Sequence, residues 1–391
     1  MNGVHQCKLD LGGVLTFPYC RFVAGCPVRF LGDLPYQAYA LQTVLERMGH
    51  DVTHLQPKVE YHRLHNPLVM PLVWIKRLYR KYFQGNRQLP VFENPYKWAR
   101  KNTDRFISNN LNCRFLAPEE WNEGLAMEYD AIVVGSDQVW RPVYTPDVTR
   151  FFTAFLGHSD ICRIAYAASF GVDKNEFSEE QIAVGQEYLK LFSAVSVREE
   201  SGIGMCRNIF NAEASQVLDP TMLLDCSEYL KLASTARKSP GNLMVYVLDR
   251  TDMTNAFVAD FADKHDLIPF ITNSKADWSW ERDIPFEERI QPPLENWLRG
   301  FADARFVLTD SFHACVFSIL FHKPFGVFVN SQRGLSRIDS LLQPLGLMDR
   351  CIADPSQQLD APIDWTRVDR ILSQWREKSM DFLREALGVK E

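Results

Sequence analysis

What this chain lacks narrows its class before any motif is considered. Its nine cysteines are odd in number and scattered (7, 20, 26, 113, 162, 206, 226, 315, 351), and no two form a CxxC pair. Neither a disulfide framework nor a zinc knuckle is indicated, and a reducing cytoplasm is the expected setting. No stretch of about 18 apolar residues occurs, so no spanning helix is expected. The opening MNGVHQCKLD has no basic n-region of a secretory signal. There is no excess of positive charge either, the net charge being −6 at pH 7. A general nucleic-acid binder is excluded on that ground, because its affinity rests on surplus Lys and Arg. Low-complexity tracts, a solenoid period and a Gly-x-Gly-x-x-Gly turn after a strand are all missing. What is present is 46% apolar residues across 391 positions, enough for two cores and two to three domains.

The most informative stretch is RFVLTDSFHACVFSILFHKP, residues 305–324. Residues 305–309 read as a buried strand and 314–321 as a buried helix. The turn between them, Asp310-Ser311-Phe312-His313, is expected at the carboxyl edge of a parallel sheet, where α/β proteins bind ligands and where a helix start offers free N–H groups. His313 is thereby positioned for chemistry. In the competing reading Asp310 or Ser311 only caps the helix, and His313 packs in the core.

In chain order, residues 13–17 (GVLTF) read as a first strand, 36–48 as a helix stopped by Gly49, and 51–55 as a second strand: a βαβ unit opening a doubly wound sheet. The loop 18–35 between the first strand and the helix is long, as functional loops are. Residues 74–101 form a basic, aromatic insertion with Lys76, Arg77, Arg80, Lys81, Arg87, Lys97, Arg100 and Lys101 against Glu93 alone. It suits anionic headgroups or an anionic lipid-linked substrate, or else is a solvated helical excursion. His50, His54, His62 and His65 precede it without the acids or cysteines of a metal motif, so no metal site is assigned.

Strands at 129–134, 164–170 and 194–197 each end in a polar turn: Gly135-Ser136-Asp137-Gln138-Val139-Trp140 after the first, Gly171 after the second, Arg198-Glu199 after the third. Between the last two, 178–192 is helical, with Ser178 as its cap and Glu180 or Gln181 in its first turn. A second set of alternating elements follows: strand 243–248, helix 254–265, strand 267–272, helix 294–302, then the turn already described. The expected fold is α/β with two doubly wound, Rossmann-like domains: 1–215 on the acceptor side and 216–391 on the donor side. The last helix, 365–387, has no later strand to reach and is expected to pack back on the first domain.

With GSDQVW, IAYAASFG, SVREESG, LDPTMLL, TDSFHACVFSILFHKPF and RGLSRIDSLLQPLGL in one order, together with QAYALQTVLERMGHDV near the start, the chain resembles the polysaccharide pyruvyl transferase family. The resemblance implies a glycosyltransferase-B-like pair of domains. It also implies transfer of the enolpyruvyl unit of phosphoenolpyruvate, as a ketal, to a sugar of a cell-surface polysaccharide or lipid-linked glycan precursor. The setting expected from the cysteines, the net charge and the 74–101 insertion is cytoplasmic, at the inner face of a membrane, with peripheral membrane contact and no nucleic acid; no cofactor is expected. Two positions depart from the family pattern. Leu31-Gly32-Asp33 stand where an Asn-Tyr-Gly turn is usual, and Ser311-Phe312-His313 replace an Arg-Leu-His triplet.

On this basis His313 is expected as the general acid and Asp137 as the base. Arg198 is expected to hold the donor's anions through its planar fork; Ser311, Arg333 and Arg337 join it, one of the arginines substituting for the missing one. Ser136, Gln138 and Trp140 are expected on the acceptor. Ordinary alternatives are a surface pair of Arg198 with Glu199 or Glu200, a turn-capping role for Asp137 and a core role for Trp140. The competing functions are a glycosyltransferase of the same shape using a nucleotide sugar, and a non-catalytic partner subunit.

Overall fold

The computed structural model describes residues 21–25, 34–58, 70–83, 95–145, 147–274, 286–329, 335–354 and 356–388. The first half runs β1 (Arg21–Gly25), α1 (Leu34–Arg47), β2 (Asp51–Pro57), α2 (Met70–Phe83), α3 (Pro95–Ala99), α4 (Lys101–Asn110), β3 (Cys113–Leu116), β4 (Ala131–Val134), β5 (Cys162–Ala168), α5 (Glu179–Tyr188), β6 (Ala194–Val197), α6 (Glu200–Phe210) and β7 (Ser215–Gln216). Then follow α7 (Cys226–Ala233), β8 (Leu243–Tyr246), α8 (Asp252–His265), β9 (Pro269–Phe270), α9 (Leu294–Asp303), β10 (Phe306–Thr309), α10 (Phe312–Leu320), β11 (Phe325–Phe328), α11 (Leu335–Leu345), β12 (Cys351–Ile352) and α12 (Trp365–Ala386).

The strands form two parallel sheets, ordered β3-β2-β1-β4-β5-β6-β7 and β12-β11-β10-β8-β9. Central strands such as β4, β5, β8 and β10 are buried along their whole length, which is why they read as continuous apolar runs rather than alternating ones. In each sheet the strand order reverses once, between β1 and β4 in the first and between β8 and β10 in the second. Crevices at such reversals are the usual ligand sites of doubly wound folds. Two such sheets with a final helix crossing their junction make a glycosyltransferase-B-like architecture.

One expectation about the start needs correction. The first described strand is Arg21–Gly25, inside the expected loop, with Phe22 in register with both Val52 and Ala131. Its five residues RFVAG are flanked by Cys and Pro, and this turn-like surrounding hid a short central strand. Residues 13–17 lie outside the described residues. The helix at 178–192 opens as expected, on a capping box: the Gln181 N–H donates to Ser178 Oγ, and the Ser178 N–H to Gln181 Oε1.

A single apolar core runs from α1 and β5 through the connection after β7 to α10 and α12. At its centre Tyr36 of α1 stacks on Trp297 of α9 with ring centroids 5.3 Å apart, and meets Phe317 of α10 at 5.6 Å. Tyr36 also donates its hydroxyl to the Leu294 carbonyl. Truncating such a buried aromatic to Ala costs about 3–5 kcal/mol, so the two sheets are held in register by packing and not by the linker alone. The last helix reaches the first sheet: Phe382 lies 6.2 Å from Tyr166 of β5, and Ser379 Oγ accepts the Leu218 N–H at 2.9 Å.

Candidate active site

The carboxylate of Asp219 is the centre of the junction. It follows the last strand of the first sheet in Leu218-Asp219-Pro220-Thr221, where its Oδ1 accepts the Thr221 N–H at 3.0 Å and the Thr221 hydroxyl at 2.6 Å. That is an ordinary cap, and it leaves Oδ2 aimed across the interface. There it accepts from Arg198 Nη1 at 2.9 Å, from Gln37 Nε2 at 2.6 Å and from Ser136 Oγ at 3.0 Å. His313 Nε2 stands 3.6 Å away. Thus α1, the β4 turn, the β6 end, the linker and α10 converge on one oxygen.

Burial alone would push the Asp219 carboxyl up. The positive charges of His313 and Arg198 and the Thr221 bond outweigh it and hold the group well below the ordinary carboxylate range. Arg198 is the complement: its burial disfavours the cation, but Asp219, Asp137 and Glu199 keep its value above normal.

Arg198 is 4% exposed, so the surface-pair reading fails. Glu199 turns away, its Oε1 accepting from Ser169 Oγ, the Phe170 N–H and the Gly171 N–H at 3.0, 2.7 and 3.2 Å. The Arg198 guanidinium lies 4.4 Å over the Phe312 ring, at the position where the family triplet has Leu. Its Nη2 is 3.6 Å from Asp137 Oδ1. Beyond the ion pairs, Arg198 Nε and Nη2 have no hydrogen-bond partner among the described residues. Buried guanidinium donors left in this state are what an anionic ligand would complete.

Asp137 itself has φ 85°, a left-handed conformation unusual for a side-chain-bearing residue. The neighbouring strand imposes it. β5 bulges at Ala167, also left-handed at φ 52°, and Ser196 Oγ stitches the bulge by donating to the Ala165 carbonyl at 2.9 Å and accepting the Ala167 N–H at 3.1 Å. The shifted chain then donates the Ser169 N–H to the Asp137 carbonyl at 3.0 Å. Gly171, at φ 75°, leaves room beside this turn: a Cβ there would stand 2.0 Å from Gln138 Oε1.

The remaining expected residues divide. Arg337 on α11 is buried, and its pKa is pushed down to about 10 by burial and by the Arg198 charge, with Glu199 and Asp137 opposing and Arg141 adding to the fall. Two guanidinium groups held near one another inside the fold form a strongly anion-seeking locus. Ser311 is the N-cap of α10, its side chain accepting the Ala314 N–H. Asp310 ties the second sheet by accepting the Leu248 and Asp249 N–H groups at 2.7 and 2.8 Å. Gln138 accepts from Arg141 Nη1 at 3.1 Å, while Arg141 grips Glu176 with Nε and Nη2 at 3.0 and 3.2 Å.

Trp140 does not offer a face to a sugar. It is wholly buried, 5.3 Å from Phe170 and 5.8 Å from Phe152, and donates Nε1–H to the Phe151 carbonyl at 3.0 Å. Ser136 is likewise turned inward, to Asp219 and Gln37. Arg333, His62 and His65 fall outside the described residues. Among those described, no cluster of three metal-ligating side chains occurs.

Reading the sequence missed Asp219 and Gln37. Both lie in quoted stretches, LDPTMLL and QAYALQ, yet an Asp before Pro reads as a cap, and a Gln on an apolar helix has no local signature of a site.

The family model for polysaccharide pyruvyl transferase matches residues 31–332. Among solved structures, the chain is similar to UDP-GlcNAc 2-epimerase from Neisseria meningitidis at 8% identity, covering 95% of this chain and 94% of that one with a TM-score of 0.48. A glycosyltransferase from Rickettsia africae is similar at 10% identity, with 96% and 100% covered and a TM-score of 0.45. No curated protein matches the sequence significantly.

Proposed function

The chain belongs to the polysaccharide pyruvyl transferase family, and from that premise we propose that it moves the pyruvyl unit of phosphoenolpyruvate onto two hydroxyls of a glycan, as a ketal. The observation that carries this reading is the buried Arg198, with unfilled donors, between Asp137 and Asp219 and with His313 on the same Asp219 carboxylate. Phosphoenolpyruvate brings a carboxylate and a phosphate to such a locus, and Arg198 and Arg337 suit both anions. Arg337 thereby takes over the charge that the family's triplet arginine would bring where this chain has Ser311.

In the chemistry, a sugar hydroxyl adds to the enol carbon while the methylene carbon receives a proton. Phosphate then leaves with its bonding pair, and a second hydroxyl captures the oxocarbenium ion and gives up its own proton. His313 is the group to deliver the first proton, since imidazole titrates near neutrality and Asp219 stabilises its charged form. Asp137, whose side chain is 18% exposed beside Arg198, is the group to take a proton from the acceptor. The acceptor class is a cell-surface polysaccharide or its lipid-linked precursor.

The deciding experiment is a thermal-shift panel of phosphoenolpyruvate, UDP-sugars and CMP-sugars, followed by mass spectrometry of acceptor glycans. A donor at 100 times its Kd adds about 2.7 kcal/mol of stability. Stabilisation by phosphoenolpyruvate with a pyruvylated product supports the reading. Stabilisation by a nucleotide sugar alone, with glycosyl transfer, would replace it.

A further inference from the structure

The helix α2 has its apolar side facing outward. Its sequence MPLVWIKRLYRKYF contains no acid and four cations, Lys76, Arg77, Arg80 and Lys81. At 100° per residue Leu72, Ile75, Tyr79, Tyr82 and Phe83 fall on a single arc. They are 67, 62, 56, 71 and 77% exposed, with the Tyr79 and Phe83 rings stacked 5.2 Å apart. Lys76 and Arg80 border that arc, while Trp74, Arg77, Leu78 and Lys81 are partly covered. Burial pushes the Arg77 guanidinium down from its usual value. A helix on a globular surface normally turns its apolar stripe to the core, and a large exposed apolar patch marks an interaction site.

We propose that this face docks on the surface of a bilayer that carries anionic lipid headgroups. Charge complementarity selects that occupant. A protein groove for an apolar helix face has no need of the two cations, Lys76 and Arg80, that border it, and in a chain of net charge −6 the basic cluster is a local feature. Tyr, Phe, Leu and Ile side chains bordered by Lys and Arg are the composition of helices that lie in the headgroup layer, with the rings at the polar boundary and the cations on phosphates. Among the described residues no helix is long and apolar enough to cross a membrane, so the contact is peripheral. The inference deepens the glycan reading, on which it rests only for what is met there: the bilayer is where a lipid-linked acceptor is found.

The test is sedimentation of the full chain with vesicles of phosphatidylcholine alone, and of phosphatidylcholine with phosphatidylglycerol at about three to one. Binding is expected to the anionic vesicles only, and to weaken with salt. The triple variant Tyr79→Ser, Tyr82→Ser, Phe83→Ser and the double variant Lys76→Gln, Arg80→Gln should each lower partitioning roughly tenfold or more. Both should keep the far-ultraviolet spectrum and turnover on a soluble sugar acceptor. Failure to pellet with anionic vesicles, or equal pelleting by wild type and both variants, overturns the proposal. So does a wild-type dimer that the aromatic variant dissolves in sedimentation velocity, since the occupant is then a second copy. Vesicle binding that follows these rules, in a protein forming no pyruvyl product with any acceptor, supports docking while overturning the reaction.

Discussion

The Asp219 carboxylate lies 3.6 Å from His313 Nε2, joining the linker after the first sheet to the head of a helix in the second. Asp219→Asn should therefore disturb both the fold and the imidazole. Removing the carboxylate leaves Arg198 buried without its main counter-charge, a loss of about 3–5 kcal/mol at neutral pH. Because the folded pKa of Asp219 lies below its unfolded value near 4, its contribution is complete above about pH 4 and fades as the pH falls. Urea unfolding should show the gap between wild type and variant narrowing at acid pH. Turnover should fall as well, since the His313 imidazole loses the carboxylate it stands against.

His313 and Arg198 should fail in different ways. His313→Asn removes a proton donor and should lower turnover roughly 100-fold or more while leaving phosphoenolpyruvate affinity within a few-fold. Arg198→Lys keeps a cation beside Asp219 but loses the planar fork, and should weaken donor binding by about 2 kcal/mol. Lysine is the better probe here, because alanine would strand the Asp219 charge and confuse binding with folding. Calorimetric titration of each variant separates the roles. Loss of donor binding in His313→Asn with the fold intact would make the histidine a donor ligand instead.

Arg337 should report on the donor anion. Arg337→Met, similar in volume and uncharged, should reduce phosphoenolpyruvate affinity roughly tenfold through a lost charge-assisted bond. Wild-type binding should weaken as the pH rises through about 10, where the free guanidinium gives up its proton, and the variant should not show that fall. Bound anion favours the charged form, so binding there should be accompanied by proton uptake. Titrations in buffers of different ionisation enthalpy measure it.

Asp137 should trade stability against activity. Its φ of 85° costs of order 1–3 kcal/mol for a residue with a side chain. Asp137→Gly relieves that cost and should leave the melting temperature unchanged or higher while lowering turnover; Asp137→Ala keeps the strain, loses the contact with Arg198 and should lower both. A glycine variant with full turnover would show that the carboxylate only shapes the turn.

Much of this architecture is local and was legible in advance. Buried parallel strands are mostly apolar, so β4, β5, β6, β8 and β10 announce themselves, and Ser178 with Gln181 spells a helix start before any contact is known. The turns at Asp137, Arg198 and His313 could be singled out as candidates because each directly follows such a strand. β1 escaped because five residues beside Cys and Pro resemble a loop until the neighbours β2 and β4 are seen.

What the chain determined by itself was therefore the alternation of strands and helices, and the set of polar turns at their ends. Only tertiary structure decided how those turns combine. Whether an arginine sits on the surface or inside depends on what is folded over it: Arg198 is enclosed by α10 and α11, more than 100 residues later in the chain, and pairs with Asp219 rather than with its neighbours. Trp140 is core for the same reason, because Phe152 and Phe170 close round it from other segments. Asp219 combines both lessons. One oxygen obeys a local rule and caps its own turn, and the other has meaning only when two sheets bring Gln37, Ser136, Arg198 and His313 to it.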